Sequence, residues 1–277
     1  MYINTDLITQ DVKRALAEDI GTGDVTAQLL PADLNMQGII LSREPMMVCG
    51  QAWVNQVFMS VDPGIKITWL VAEGEFLNSP QTLCKISGSA RSLLTAERTA
   101  LNFLQTLSGT ATTTRSYAQQ LLATNLKLLD TRKTIPGLRW AQKYAVLCGG
   151  GLNHRLGLYD AFLIKENHIA ACGSITQAIK SARALNSNLL IEVEVADLNQ
   201  LAEALDSNPD RILLDNFTVD MMRAAVRCNQ IKRCPLEVSG GVTLDNLKSI
   251  AETGIDFISV GALTKSVCAI DLSLLLE

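Results

Sequence analysis

The sequence predicts an α/β protein in which a small mixed domain precedes a parallel sheet built from βαβ units. Up to about residue 108, helical segments and β-branched runs are mixed. After residue 124, short apolar runs alternate with helical segments, and most of these runs start about 20–30 residues apart. Such alternation is typical of a parallel sheet, whereas the mixed first part is typical of an α+β domain.

Composition supports a folded chain and excludes several classes of protein. Of the 277 residues, 48% are apolar and 19% are charged, which is enough for a buried core and excludes a disordered chain. The net charge of −4 argues against a nucleic-acid protein with a broad basic face. We expect a cytoplasmic protein that does not enter membranes, because no apolar run approaches a membrane span and the first residues lack a signal-peptide core.

The first part of the chain contains the elements of the predicted mixed domain, which we place at residues 1–110. Residues 5–18 form an amphipathic helical pattern, and Trp53, Val57 and Phe58 have helical spacing. Residues 37–44, 65–75 and 81–88 read as strands separated by Pro, Gly and Asn turns. A long helix is predicted over 89–107, interrupted by Gly109.

The second part, which we place at residues 111–265, contains six predicted strands. They occupy 126–133, 160–168, 188–195, 211–217, 235–241 and 256–263. Helices are predicted between them at 174–185, 198–207, 219–229 and 243–254. A closed α/β barrel has eight strands, so either two strands are absent or the pattern does not reveal them.

The seven cysteines are widely spaced and contain no C-x-x-C pair. Neither a zinc site nor a redox dithiol is therefore indicated. We expect reduced cysteines that act as small core residues.

Polar residues or glycines end every predicted strand of the second part. They are Asp130 to Lys133, Lys165, Glu194, Asp215, Ser239-Gly240-Gly241 and Gly261. A single charged residue at a strand end is usually only solvated. Because the carboxyl ends of parallel strands meet at one mouth, six such ends together predict an active site there.

Positive charge is concentrated on one side of this predicted mouth. Residues 132–168 contain both histidines, His154 and His168, and six Lys or Arg against two acids; the basic residues are Arg132, Lys133, Arg139, Lys143, Arg155 and Lys165. Arginine pairs bidentately with carboxylate or phosphate, so an anionic substrate is indicated. Arg139 and Lys143 are explained equally well as partners in ordinary surface ion pairs.

The other strand ends predict a place for a phosphorylated sugar. Glu194 and Asp215 could bind Mg²⁺ or accept hydrogen bonds from ribose hydroxyls, or they could simply cap their strands. The glycines after the last two strands would let backbone N–H groups approach a phosphate. Gly149-Gly150-Gly151 reads instead as a turn that ends a helix.

At these residues the sequence resembles the quinolinate phosphoribosyltransferase family. The matching stretches run in order along nearly the whole chain: EDIGTGDVTA (18–27), LLTAERTALNFLQTLSGTAT (93–112), LLDTRKTIPGLRWAQKYAVLCGGGLNHRLGLYDAFLIKENHI (128–169), IEVEV (191–195), ILLDNF (212–217), LEVSGGV (236–242) and FISVGALTKS (257–266). One departure is Lys265, where many family members carry His.

The resemblance implies a reaction and an architecture. Quinolinate and phosphoribosyl pyrophosphate would react with Mg²⁺ as cofactor to give nicotinate mononucleotide, pyrophosphate and CO₂, as a step of NAD biosynthesis. The fold implied is an N-terminal α/β sandwich domain followed by an incomplete TIM-like barrel of six or seven strands, with the tail 266–277 packed on the first domain. The family assembles as a homodimer whose active site is completed by the partner subunit.

The resemblance also assigns roles to particular residues. It implies that quinolinate binds at Thr131, Arg132, Lys133, His154, Arg155 and Lys165, with Arg98 contributed across the dimer interface. Lys133, Lys165, Glu194 and Asp215 would be catalytic, and the two acids would lie near the Mg²⁺ and the ribose. The phosphate would bind at Ser239, Gly240, Gly241 and Gly261.

Three other functions are compatible with the strand-end residues. Lys165 could be the Schiff-base lysine of an aldolase on the same barrel. The chain could be a related phosphoribosyltransferase that accepts another aromatic acid. It could also be a non-catalytic anion-binding protein that retains the fold.

Overall fold

The computed structural model describes residues 4–277, which form a mixed α/β structure. The helices are α1 (Thr5–Ile20), α2 (Gln51–Val61), α3 (Ala90–Leu121), α4 (Arg139–Cys148), α5 (Glu166–Cys172), α6 (Ile175–Leu185), α7 (Leu198–Ser207), α8 (Val219–Cys228), α9 (Leu247–Ala251) and α10 (Ala262–Lys265), with a 3-10 turn at Ala27–Leu29. The strands are β1 (Asn35–Ser42), β2 (Met46–Met47), β3 (Lys66–Trp69), β4 (Phe76–Leu77), β5 (Gln81–Ser89), β6 (Lys127–Leu129), β7 (Ala161–Ile164), β8 (Leu190–Val195), β9 (Arg211–Asp215), β10 (Leu236–Ser239), β11 (Phe257–Ser259) and β12 (Leu272–Leu276).

The chain divides into two compact units. Unit 1 contains the residues up to Arg115, Thr134–Gly150 and Leu263–Glu277, and unit 2 contains Ser116–Lys133 and Gly151–Ala262. The second domain predicted as one continuous segment, 111–265, differs from this division because 134–150 groups with unit 1. The physical reason is burial: Ala141, Tyr144 and Ala145 of α4 belong to the hydrophobic core of unit 1.

Unit 1 is built on an antiparallel sheet with the strand order β12-β1-β5-β3. β12 pairs with β1 from Gly38 opposite Leu276 to Ser42 opposite Leu272. The strands predicted at 37–44 and 81–88 correspond to β1 and β5, whereas the strand predicted at 65–75 is shorter in the structure, because β3 ends at Trp69. The two-residue strands β2 and β4 were not predicted because they are too short to show a period of two.

The long helix α3 corrects one prediction. It continues through Gly109 to Leu121, although the sequence predicts an interruption at this glycine. A Cβ at Gly109 would lie 2.1 Å from the Cys268 carbonyl oxygen. The glycine therefore allows the segment after α10 to pack closely against the helix, and it does not end the helix.

Unit 2 confirms the predicted parallel α/β architecture. Its six strands have the order β6-β11-β10-β9-β8-β7, and all the registers between neighbours are parallel. All six predicted strands are present, and β6 lies beside β11, the last of them in the chain. The sheet as described has β6 and β7 as its edges, which is an incomplete barrel rather than a closed one.

Side-chain caps explain where three helices of unit 2 begin. Ser174 accepts a hydrogen bond from the Gln177 amide before α6, and Thr218 accepts one from Met221 before α8. Asp197 does the same for two amides at the start of α7. Asp197 and Thr218 follow the ends of β8 and β9 closely, so α7 and α8 start near the same edge of the sheet, whereas α5 separates Ser174 from β7.

The burial of the cysteines tests the prediction that they act as core residues. Cys49 and Cys84 are buried, as expected of core cysteines, but Cys172, Cys228 and Cys268 are exposed.

Across residues 4–277, no helix combines the length and apolar character needed to cross a membrane.

Candidate active site

A cavity of about 170 Å³ lies at the carboxyl ends of the strands of unit 2. Eight of its lining residues were predicted as site residues: Thr131, Arg132, Lys133, His154, Arg155, Lys165, Glu194 and Ser239. The strand register extends this edge, because Asp215 pairs with Ser239 and Ser239 pairs with Ser259. The cavity is below the range of typical drug-sized pockets, so it suits a compact ligand.

Two arginines give one wall of the cavity its positive charge. Burial lowers the pKa of Arg155, and the positive charge of Arg132 lowers it further. Arg155 donates a hydrogen bond to the Ala161 carbonyl at 3.3 Å, which fixes the side chain against the start of β7. Guanidinium groups remain charged in proteins, so neighbouring arginines in a partly dry wall favour an anionic ligand between them.

Two aspartates to which the sequence assigns no role in binding or catalysis shape the loop that carries His154 and Arg155. Buried Asp130 accepts hydrogen bonds from the His154 amide at 2.9 Å and from Asn153 Nδ2 at 2.7 Å. Asp160 accepts from the amides of residues 156 and 157 at 2.6 and 2.9 Å. The loop conformation is therefore held by carboxylates rather than by regular secondary structure.

His154 lies against a pair of buried carboxyl groups. Its Nε2 is 2.8 Å from Glu192 Oε2 and 3.6 Å from Glu237 Oε1. Its Nδ1 accepts a hydrogen bond from the Arg155 amide at 2.8 Å, so in the neutral ring the proton is on Nε2 and points to Glu192. The imidazole thus lines the cavity while both of its nitrogens face protein groups.

The two glutamates share their environment with one arginine. Burial raises the pKa of Glu192, and burial together with the charge of Glu192 raises the pKa of Glu237 to about 7. Arg211 donates to Glu237 at 2.9 Å and stacks on the Phe257 ring. Two neighbouring carboxylates do not both ionise readily, so a single proton on the pair relieves their repulsion.

Sequence reasoning selected Glu194 but missed Glu192, although a signal was available. In the strand IEVEV the two glutamates alternate with buried Ile191, Val193 and Val195. A strand has a period of two, so Glu192 and Glu194 lie on one face. Two acids on one face of an otherwise apolar strand indicate a polar site there.

Lys165 and Glu194 form an ion pair across β7 and β8. Lys165 is about half exposed, at 46%, and also begins helix α5. This differs from the desolvated pocket expected of a Schiff-base lysine. The environment of Lys165 thus gives no support to the aldolase alternative.

The glycine-rich rim after β9 and β10 has a conformation that requires glycine. Gly240 has φ +97°, and a Cβ there would lie 2.0 Å from Asn216 Oδ1. Asn216 itself has φ +55°, and its amide donates to the Ser239 carbonyl at 2.9 Å. At Gly261 a Cβ would lie 3.1 Å from the Lys133 side chain, so the lack of a side chain leaves room for that lysine.

Not every residue of the basic segment reaches this cavity. Arg139 and Lys143 lie on α4 in unit 1, where Lys143 is fully buried, so the linear cluster of charge is divided between the units. Arg98 lies on α3, also in unit 1. Helix α4 ends with Gly149 and with Gly150 at φ +90°, which confirms the predicted turn.

The fold and the site together define a class of protein. An incomplete parallel α/β barrel with cations, carboxylates and a glycine-lined rim at one mouth is the arrangement of an enzyme for small anionic and phosphorylated substrates. Family models for quinolinate phosphoribosyl transferase match two segments, the N-terminal domain at residues 24–108 and the C-terminal domain at 110–275. The chain belongs to the quinolinate phosphoribosyltransferase family.

Named relatives agree with this membership over the full length. The chain is 45% identical to the carboxylating nicotinate-nucleotide pyrophosphorylase of Mycobacterium leprae, over 97% of each protein. It is 40% identical to the probable enzyme of that name from Bacillus subtilis, over 93% of this chain and 89% of that one. The solved nicotinate-nucleotide pyrophosphorylase of Francisella tularensis superposes with a TM-score of 0.96 at 48% identity, covering 100% of this chain and 98% of that one.

Proposed function

We propose that this protein transfers the phosphoribosyl group of phosphoribosyl pyrophosphate to quinolinate and releases CO₂, giving nicotinate mononucleotide and pyrophosphate for NAD biosynthesis. The observation that carries the proposal is the cavity in unit 2, whose wall combines Arg132 and Arg155 with Lys133 and Lys165. Quinolinate carries two carboxylates, and each of the two arginines can pair with a carboxylate bidentately. Family membership supports the same substrate.

The cationic wall would bind and orient quinolinate. Arg132 and Arg155 would take the carboxylates, Lys133 and Thr131 would lie beside them, and Lys165 would be held in place by Glu194. His154 would act as part of the wall, because its nitrogens face Glu192 and the Arg155 amide. Orientation of the ring nitrogen toward the sugar is the main contribution of this wall to the rate.

The opposite rim would bind the phosphoribosyl group. Ser239, Gly240, Gly241 and Gly261 would hold the phosphate through backbone amides. As the ring nitrogen attacks the anomeric carbon, the sugar gains positive character, which Glu194 and Asp215 would stabilise. The ring nitrogen becomes positive in the product, so it can accept the electrons that the departing CO₂ leaves behind.

The residues at the rim fit the Mg²⁺ that the family implies. Glu194 and Asp215 supply carboxylate oxygens at neighbouring strand ends, with Asn216 holding Asp215 through a hydrogen bond at 3.0 Å. Magnesium usually takes one or two carboxylates and completes its shell with water and substrate phosphates. When bound, it would neutralise charge on the pyrophosphate leaving group.

The assembly and the location are part of the same proposal. Arg98 would act in the active site of the partner subunit of a homodimer, as the family resemblance implies. Mixing Arg98→Ala and Lys133→Ala subunits tests this role, because only a shared site restores activity in the mixed dimer. Proven heterodimers without activity would contradict it.

We expect the protein to work in the cytoplasm.

The experiment that tests the reaction is a product assay. The purified protein is incubated with quinolinate, phosphoribosyl pyrophosphate and Mg²⁺, and nicotinate mononucleotide and CO₂ are followed together. We expect both products in equal amounts, and none when nicotinate replaces quinolinate. A folded protein that makes no product from quinolinate would refute the proposal, and a panel of other aromatic acids would then identify the substrate.

A further inference from the structure

Two cysteines of unit 1 face each other in a cluster that the proposed reaction does not use. The sulfur atoms of Cys49 and Cys148 and a carboxylate oxygen of Glu73 all lie within 4.8 Å of one another. Cys49 is fully buried, whereas Cys148 is partly exposed, so a reagent from solvent meets Cys148 first.

Helix α3 holds both cysteines in place through their backbones. The Cys49 amide donates to Ser108 Oγ at 3.0 Å, and the same hydroxyl donates back to the Cys49 carbonyl at 3.1 Å. Each cysteine is followed by a glycine that packs on α3. A Cβ would lie 2.5 Å from a helix carbonyl oxygen at Gly149 and 3.3 Å from a leucine side chain at Gly50. The thiols therefore meet because two distant segments are seated on one helix.

The third group of the cluster already has a structural task. The carboxylate of Glu73 accepts the Gly50 amide at 2.8 Å and the Gln51 amide at 3.1 Å, so it caps helix α2 with both oxygens. Burial raises its pKa. The chemistry that remains unassigned in this cluster is thus that of the two sulfur atoms.

The two thiols differ in reactivity. The neighbouring Cys49 thiol lowers the pKa of Cys148, and burial raises the pKa of Cys49. Burial raises the pKa of Cys84 to about 12 and that of Cys234 to about 11, which is the opposite direction from Cys148. Because the thiolate is the nucleophile, Cys148 is the first cysteine of this pair to react.

We propose that Cys49 and Cys148 are a modification site, at which a hydroperoxide produces a reversible intramolecular disulfide. The Cys148 thiolate attacks one peroxide oxygen, the S–O bond forms and the O–O bond breaks, and the departing alkoxide or hydroxide takes up the proton that Cys148 released, leaving as an alcohol or water. The resulting sulfenic acid is attacked by the Cys49 sulfur, the S–O bond breaks, and water leaves with the Cys49 proton. Two thiols and one hydroperoxide thus give one disulfide, and a dithiol reductant restores the pair.

Peptide mapping tests the proposal on the folded full-length protein. The protein is treated with hydrogen peroxide, its remaining thiols are alkylated, and it is digested with trypsin without reduction. We expect residues 44–66 and 144–155, which carry Cys49 and Cys148, as one cross-linked peptide that has lost two hydrogen atoms. Dithiothreitol should separate the two peptides completely.

Three variants assign the steps. Cys49→Ala should stop at the sulfenic acid, so that dimedone labels Cys148. Cys148→Ser should lose the cross-link and leave buried Cys49 reduced. Cys172→Ser, at an exposed cysteine, is the matched control and should form the cross-link at the wild-type rate. Circular dichroism of each reduced variant verifies the fold, and Cys148→Ser keeps the test valid if Cys49→Ala unfolds.

Two results would overturn the proposal. One is oxidation of the exposed cysteines Cys172, Cys228 or Cys268 ahead of Cys148, with no 44–66 to 144–155 cross-link. The other is purified protein in which a zinc ion blocks both thiols and peroxide forms the bond only after chelation.

Discussion

Unit 2 has two pairs of like-charged groups that are stabilised differently, one in the wall of the cavity and one against His154. Arg132 and Arg155 form the cationic pair, and Glu192 and Glu237 form the acidic pair. Arginine cannot release its proton in a protein, so the repulsion between the two guanidinium groups is relieved by an anion and not by deprotonation. A carboxylate can take up a proton, and the pKa of Glu237 rises to about 7 accordingly. The first pair is therefore built for binding, whereas the second is complete within the protein.

Removing one member of the cationic pair should have the largest effect. With Arg155→Ala, a quinolinate carboxylate would lose its partner in a partly dry wall. Loss of such a charge pair costs roughly 2–5 kcal/mol, which lowers kcat/KM for quinolinate about 30-fold to a few thousand-fold. Steady-state kinetics measure this effect. Arg155→Lys keeps the charge but lacks the planar guanidinium group, so it should retain more of the wild-type kcat/KM than Arg155→Ala does.

The matched control is Arg223→Ala, at an exposed arginine of α8 that pairs with Asp220 at 3.2 Å. It should leave kcat/KM unchanged. Near-normal quinolinate turnover by Arg155→Ala would show that the cationic pair does not bind the substrate.

The acidic pair should make the free energy of unfolding depend on pH. The pKa of Glu237 is about 7 in the folded protein, against an ordinary value of 4.5. The folded state therefore binds this proton more tightly, and the stability it contributes is full below pH 4.5 and is lost as the pH rises through 7. Glu237→Gln cannot ionise at this position. As the pH is raised from 4.5 to 8, its free energy of unfolding should therefore increase relative to that of wild type by up to about 3 kcal/mol.

Urea unfolding at several pH values measures this difference. Glu252→Gln removes the same charge from an exposed position and serves as the control. If the stability difference between Glu237→Gln and wild type does not change with pH, the carboxyl pair holds no shared proton.

A third variant tests how the protein positions the cationic pair. Asp130→Asn would place an amide NH₂ against the His154 amide or the side chain of Asn153, both of which are donors. A buried donor without an acceptor costs about 1–3 kcal/mol. We expect KM for quinolinate to rise while KM for phosphoribosyl pyrophosphate stays near the wild-type value, as measured by varying each substrate separately. Asn153→Ala removes one of the two donors and should have a smaller effect. Equal changes in both KM values would show that Asp130 does not position the quinolinate-binding wall in particular.

The two pairs also differ in how far the sequence predicts them. The sequence predicts Arg132 and Arg155 as site residues because both lie in the basic segment 132–168 and Arg132 also ends a predicted strand. Glu192 and Glu237 lie inside β8 and β10: alternation along β8 places Glu192 on the same face as Glu194, but the apolar residues around Glu237 predict only burial. Sequence order shows which strand carries a residue, but the parallel register that sets Glu192 beside Glu237 and His154 is a tertiary property.

The same limit explains the fold predictions. The six strands of unit 2 were predictable because each apolar run ends in a polar residue or glycine. The interruption of helix α3 predicted at Gly109 is wrong because the sequence does not show that Cys268 packs against this position. Likewise, only the structure shows that Cys49 and Cys148 meet.

The smallest effect is expected for Glu192→Gln, and it distinguishes two explanations of the acidic pair. If the pair shares one proton, an amide can replace one carboxyl group: its oxygen accepts from His154 Nε2, and Glu237 remains paired with Arg211. Stability at pH 7 should then change by less than about 1 kcal/mol, and kcat/KM by no more than a few-fold. If Glu192 instead acts as a buried anion that holds a charged His154, the variant should lose about 3–5 kcal/mol, as broken buried ion pairs do. Urea unfolding beside Glu192→Ala, which leaves a cavity and is destabilising in either case, separates the two.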